Sequence, residues 1–193
     1  MILFHVEQTL LYIYIYNMNH HNTQKTLLKI GLVGDSCVGK TVMSTRFANF
    51  DGSQRFNKEH DSTEDYNIEK RELIFTDTNN NTYPITFTFW DTAGQENAKG
   101  SELRADYLKG CDGVFVMYDV MVRSTKDHID EWLKTVRNVC GDIPVVVLGN
   151  KADRLNDLTA DLIQSSMLRT ARMTAHFNKK NCKTFLTSVS KNK

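Results

Sequence analysis

The sequence, 193 residues long, predicts a doubly wound α/β fold with a mostly parallel sheet and one antiparallel edge strand. Three observations carry that reading. From Thr26 onward, short apolar runs of strand length alternate with helical stretches, and parallel strands require crossover helices of that kind on both faces. One pair of strand-like runs is separated only by "DTNNNT", whose Asn and Asp residues take turn conformations readily, so that pair reads as a hairpin. The first apolar run feeds a loop, "GDSCVGKT", that opens a helix.

Taken in order, "LLKIGLV" (27–33) is a buried strand ending at a turn, and a helix follows from about 39 to 49. The hairpin strands cover 68–76 and 83–90. In the second, Ile85, Phe87 and Phe89 alternate with Thr86, Thr88 and Trp90, which gives the strand two different faces. "GVFVMYD" (113–119), "IPVVVLGN" (143–150) and "KTFLTS" (183–188) read as three more buried strands, separated by helices over 97–109, 125–140 and 157–178. No internal repeat or long linker is visible, and residues 26–193 form the domain.

Residues 1–25 read as an N-terminal extension or leader. "MILFHVEQTLLYIYIYNMN" has no positive leading region, and His5, Glu7 and Gln8 interrupt it, so it reads as neither a signal peptide nor a membrane span. Within it "LLYIYIY" has high strand propensity and no charge. Met18 precedes a polar leader, so either translation starts there or the extension is part of the protein.

An apolar content of 40% suffices for one core, and hence one site. Lys plus Arg total 24 against 23 for Asp plus Glu, so no basic excess points to a nucleic-acid partner, none is expected, and no acidic tail points to disorder. The four cysteines lack the close pairs that a zinc or redox site needs, so free thiols in a reducing, cytoplasmic setting are expected.

The loop Gly34, Asp35, Ser36, Cys37, Val38, Gly39, Lys40, Thr41 fits the pattern G-x-x-x-x-G-K-[ST] between a strand and a helix. Its glycines let the backbone wrap phosphates, amide groups and the helix N-terminus supply positive potential, Lys40 adds a point charge, and the Thr41 hydroxyl suits Mg2+. The base is chosen elsewhere. "GNKAD", with Asn150, Lys151 and Asp153, follows a buried strand on the same edge of the sheet. The Asp153 carboxylate can accept from a guanine's ring N–H and exocyclic amine together, whereas adenine presents an acceptor there and is repelled. In "WDTAGQE" (90–96), Asp91 at a strand end is placed to hold Mg2+ or its water, Gly94 to give a backbone N–H to a terminal phosphate, and Gln95 to orient an attacking water.

In this order, "GDSCVGKT", "WDTAGQE" and "GNKAD" resemble the phosphate, metal and guanine elements of the Ras superfamily of small GTPases, from about Lys25 to Lys191. The resemblance implies a P-loop NTPase-type sheet and a monomeric switch that binds GTP or GDP with Mg2+. It implies slow GTP hydrolysis, with Lys40 and Gln95 as catalytic residues, and an exchange factor, a GTPase-activating protein and effectors as partners. By the same resemblance Thr63 is a third Mg2+ ligand beside Thr41 and Asp91, Phe56 stacks on the guanine, and Ser190 with Lys191 packs beside it, the alternative register being Ser188-Val189.

The sequence also departs from the family. "STEDYNI" lacks the usual pair after the threonine, and "ANFDGSQR" is longer than the family pattern. A final helix and prenylation cysteines are not found, the last cysteine being Cys182, so no lipid anchor is expected and residues 1–16 are expected to fold back over the sheet face that such a helix covers. The chain resembles Rab-type members, with features of the Ran type, which implies a role in vesicle or intracellular transport. Alternatives are a GTP-binding interaction module that no longer switches, a Ran-like transport GTPase, or an ATP-dependent P-loop enzyme in which Asp153 is accidental.

Overall fold

The computed structural model describes residues 2–21, 25–49, 66–76, 79–92, 106–157 and 182–186. In chain order its elements are α1 (Ile2–His21), β1 (Leu27–Val33), α2 (Lys40–Ala48), β2 (Tyr66–Thr76), β3 (Thr82–Thr92), β4 (Gly113–Asp119), α3 (Arg123–Asp127), α4 (Ile129–Cys140), β5 (Val145–Asn150) and β6 (Cys182–Leu186). The strands form one six-stranded sheet in the order β2-β3-β1-β4-β5-β6. Every pairing is parallel except the β2–β3 hairpin, which supplies the antiparallel edge. The predicted fold class is therefore observed, with β1 at the point where strand order reverses and ligands of such sheets bind.

Several element ends shift. The hairpin ladder runs from Tyr66↔Thr92 to Thr76↔Thr82, so both strands extend past the expected 68–76 and 83–90, and Asp91 sits within the ladder. The expected helix over 125–140 starts two residues earlier and breaks at His128, whose φ of −82° and ψ of −5° lie between α3 and α4. Strand β5 begins at Val145, because Pro144 has no N–H to give the ladder. Of the helix expected over 97–109, residues 106–108 are described and are helical. The stretch 157–178 lies outside the described residues apart from Asp157, the last residue of a 3-10 turn over Ala152–Asp157.

Alternation along the strands divides the core between two faces. Phe115 and Met117 of β4 join Leu28, Ile30, Leu32, Phe87 and Phe89 beneath α1 and α2, while Val114, Val116 and Tyr118 join Val145 and Val147 beneath α4.

Helix α1 corrects the strand propensity read in "LLYIYIY". Thr9, Leu10, Ile13, Tyr14 and Asn17 are buried, a spacing of three and four residues that only a helix turns to one side. Intrinsic helix propensities of ordinary residues differ by at most about 0.7 kcal/mol, whereas burying one Leu or Ile side chain contributes about 1.5–3 kcal/mol, so packing decides. Ile13 lies so close to β4 that a Cβ on Gly113 would come within 2.8 Å of it. The Asn17 amide donates to the Asp112 carbonyl at 2.9 Å, Lys183 Nζ lies 3.6 Å from the centre of the Tyr12 ring, and Arg71 joins Glu7 to the last turn of α2 through the Phe47 carbonyl. No helix among the described residues is long and apolar enough to cross a membrane.

Candidate functional site

The carboxyl ends of β1, β3, β4 and β5 lie side by side, and the sequence motifs emerge there. Gly34 leaves β1 with φ of 140°, and a side chain at that position would overlap the Met117 carbonyl of β4. Only glycine satisfies both demands. The loop then turns through Cys37 at φ of 63° and Gly39 at φ of 97° into α2. Helix α2 starts with no side-chain hydrogen bond from its cap residue Gly39 and no acidic residue in its first turn, so no cap side chain takes up its leading amide groups. Such a terminus attracts anions. The Lys40 ammonium is buried at 5% exposure and donates to the carbonyls of Gly34 at 2.8 Å and Asp35 at 3.0 Å, folding its charge back over that hollow. Thr41 is exposed in the first turn of α2.

The segment from Asn150 to Asp153 is tied directly to this loop. Asn150, fully buried at the end of β5, donates from Nδ2 to the Val38 carbonyl at 2.8 Å. Lys151, in the left-handed region at φ of 62°, donates to the Cys37 carbonyl at 2.8 Å and pairs with Asp119 Oδ2 at 2.8 Å. Asp153 follows, half-buried in the first turn of the 3-10 segment.

Asp91 is buried at 1% exposure in β3, opposite Leu32 of β1 and so beside the start of the loop. The donors available to a cation here are the Thr41 hydroxyl and the Asp91 carboxylate, hard oxygens that suit Mg2+, an ion bound through few protein groups and substrate phosphates. Among the described residues no group of three or more His, Cys, Asp or Glu side chains gathers to cage a metal. The expected positions Phe56, Thr63, Gly94, Gln95, Ser190 and Lys191 lie outside the described residues.

Asp119, His128 and Trp132 also join this edge, and motif reading did not find them. Asp119 ends β4 directly opposite Asn150, so its place at the end of a buried strand was the available signal. His128 Nδ1 donates to Asp35 Oδ2 at 2.7 Å and Trp132 Nε1 to Asp35 Oδ1 at 2.9 Å, an i, i+4 pair on one helix side grasping the loop. The hydrogen bond and charge of Asp35 raise the His128 pKa above its ordinary value of 6.5. The four cysteines are free thiols; burial pushes Cys111 up to about 12 and raises Cys140, so neither is a nucleophile near neutrality.

The geometry thus joins an anion cradle to a carboxylate-bearing turn at one sheet edge. Comparison with known proteins places it. Residues 29–153 match the family described as "Ras of Complex, Roc, domain of DAPkinase". The chain is also similar to the Ras-related protein Rab11A of Lotus japonicus, 33% identical over 131 residues that make up 67% of this chain and 53% of that relative. It therefore spans about half the length of that relative.

Proposed function

The chain belongs to the Ras superfamily of small GTPases and is Rab-related, and on that premise we propose that it binds GTP and GDP with Mg2+ as a slowly hydrolysing switch in intracellular transport. The observation that supports this best is the pair of bonds from Asn150 and Lys151 to the Val38 and Cys37 carbonyls, which fixes a base-reading turn at a set distance from a phosphate loop. A nucleotide spans two such sites; a free phosphate needs only one.

Each residue has a task in this reading. The α2 amide groups and Lys40 neutralise phosphate oxygens, and Lys40 moves from the Gly34 and Asp35 carbonyls toward the terminal phosphates when they arrive. Asp153 accepts two hydrogen bonds from guanine and repels adenine. Thr41, Asp91 and Thr63 would hold Mg2+, which when bound would supply charge neutralisation for the phosphates. Gln95 orients water, Gly94 gives its amide to the γ-phosphate, Phe56 stacks on the base, and Ser190 with Lys191 closes its edge. Loss of the γ-phosphate frees Thr63 and Gly94, and that relaxation is the signal. An arginine supplied by an activating protein accelerates the reaction, an exchange factor releases GDP, and effectors read the GTP form of this cytoplasmic monomer.

Asp153→Asn tests the base assignment. An amide offers one acceptor and one donor, so guanine loses a pairing while xanthine, with a carbonyl in place of the amine, gains one. GDP affinity should fall about 10- to 100-fold and xanthosine diphosphate should bind better than to wild type. Unchanged GDP affinity in Asp153→Asn contradicts the reading.

A further inference from the structure

Asp35 is the one carboxylate in the loop 34–41, a segment whose other groups favour anions. Left facing the hollow, it would repel phosphate oxygens. Its backbone and side chain are turned to opposite partners. The carbonyl accepts from Lys40 Nζ at 3.0 Å, while the carboxylate, 22% exposed, is taken by the Trp132 indole at 2.9 Å and the His128 ring at 2.7 Å. The two donors differ in kind. Trp132 is 7% exposed and packed in the core beneath α4, so its N–H is a fixed anchor. His128 is half-exposed at the break between α3 and α4, and its charge follows the pH.

We propose that His128 and Trp132 are positioning residues for the phosphate loop, holding the Asp35 carboxylate away from the bound phosphates, and that protonation of His128 tightens nucleotide retention. This rests on the reading of loop 34–41 as a guanine-nucleotide site. With His128 protonated, the Asp35–His128 pair carries no net charge. With His128 neutral, the pair carries one negative charge beside the phosphates and Asp35 keeps only neutral donors. Among the described residues the other charged groups acting on His128 are Glu131 on α4 and Asp127 on α3, and both add to Asp35 in favouring the protonated ring.

The sign follows from that arrangement. Because Asp35 raises the pKa of His128, the added hold on the loop is complete below about 6.5 and is lost as pH rises through the raised value. GDP release should therefore quicken as pH rises.

The test is the rate of fluorescent GDP release from the full chain between pH 5.5 and about 8.5, in wild type, His128→Asn and Asp35→Asn. His128→Asn keeps a neutral donor, so its release rate should be flat where wild type speeds up about two- to fivefold, a scale set by one partly exposed charge pair. Asp35→Asn should also be flat, since the carboxylate that His128 answers is gone. Retained wild-type pH dependence in His128→Asn overturns the proposal, and so does a wild-type rate that does not change with pH. Failure of GDP to bind at any pH instead overturns the nucleotide reading beneath it. His128 is half-exposed, so thermal melting of His128→Asn should match wild type within a few degrees above the raised pKa; a collapse of the melt there assigns the residue to folding and overturns its positioning role.

Discussion

The carboxyl edge of the sheet and the face under α1 are built on opposite principles. At the edge, Lys40, Asn150 and Lys151 each reach a specific carbonyl of the loop 34–41, at 2.8 Å in every case. Under α1, Leu10 and Ile13 are fully buried in one apolar cluster with Leu28, Phe87, Phe115 and Val146. Directional bonds set distances, which a site needs; apolar burial is nondirectional and supplies stability. Damage to the two regions should therefore show in different measurements.

The largest effect is expected at the apolar face. Ile13→Ala removes a fully buried side chain and should destabilise the chain by about 2–5 kcal/mol, seen as a lower unfolding midpoint, while the ratio of GDP to ATP affinity stays as in wild type. A change in that ratio would break the comparison, because it would make α1 part of the site. Asn150→Ala should do the reverse. It leaves the buried Val38 carbonyl without its partner, a loss of about 1–3 kcal/mol, and should hasten GDP release with a smaller drop in unfolding midpoint than Ile13→Ala. Equal drops for the two variants would mean that the edge bonds act mainly as structural ties.

The same division governs how much could be read in advance. The loop Gly34–Thr41, the base segment at Asn150–Asp153 and the hairpin announce themselves because their residue types are required locally: glycines for positive φ, Asn and Asp for turns, alternation for a two-faced strand. The partners of those residues are not local. Asn150 meets a carbonyl 112 positions away, Lys151 one 114 away, and Asp35 meets His128 and Trp132 at separations of 93 and 97. A motif names the group that reaches out and leaves unnamed what it reaches.

Helix α1 failed to show itself for a second reason. Its Tyr and Ile residues favour strands by themselves, and the helical spacing of Leu10, Ile13, Tyr14 and Asn17 gains force only once a sheet face is there to receive it. Asp119 falls between the two cases. It ends a strand that was anticipated, yet its role as the counter-ion of Lys151 emerges only from the parallel register that sets it against Asn150.

The central claim is that this edge holds a guanine nucleotide, with Asp153 choosing the base. The most direct measurement is displacement of fluorescent GDP from the purified chain by unlabelled GDP, GTP and ATP in the presence of Mg2+. A site that pairs the donors of one base rejects a base lacking them by about 10⁴-fold or more, so GDP and GTP should displace the label at comparable concentrations while ATP leaves it bound at about 1,000-fold excess. Displacement by ATP at the concentrations that suffice for GTP would contradict the account.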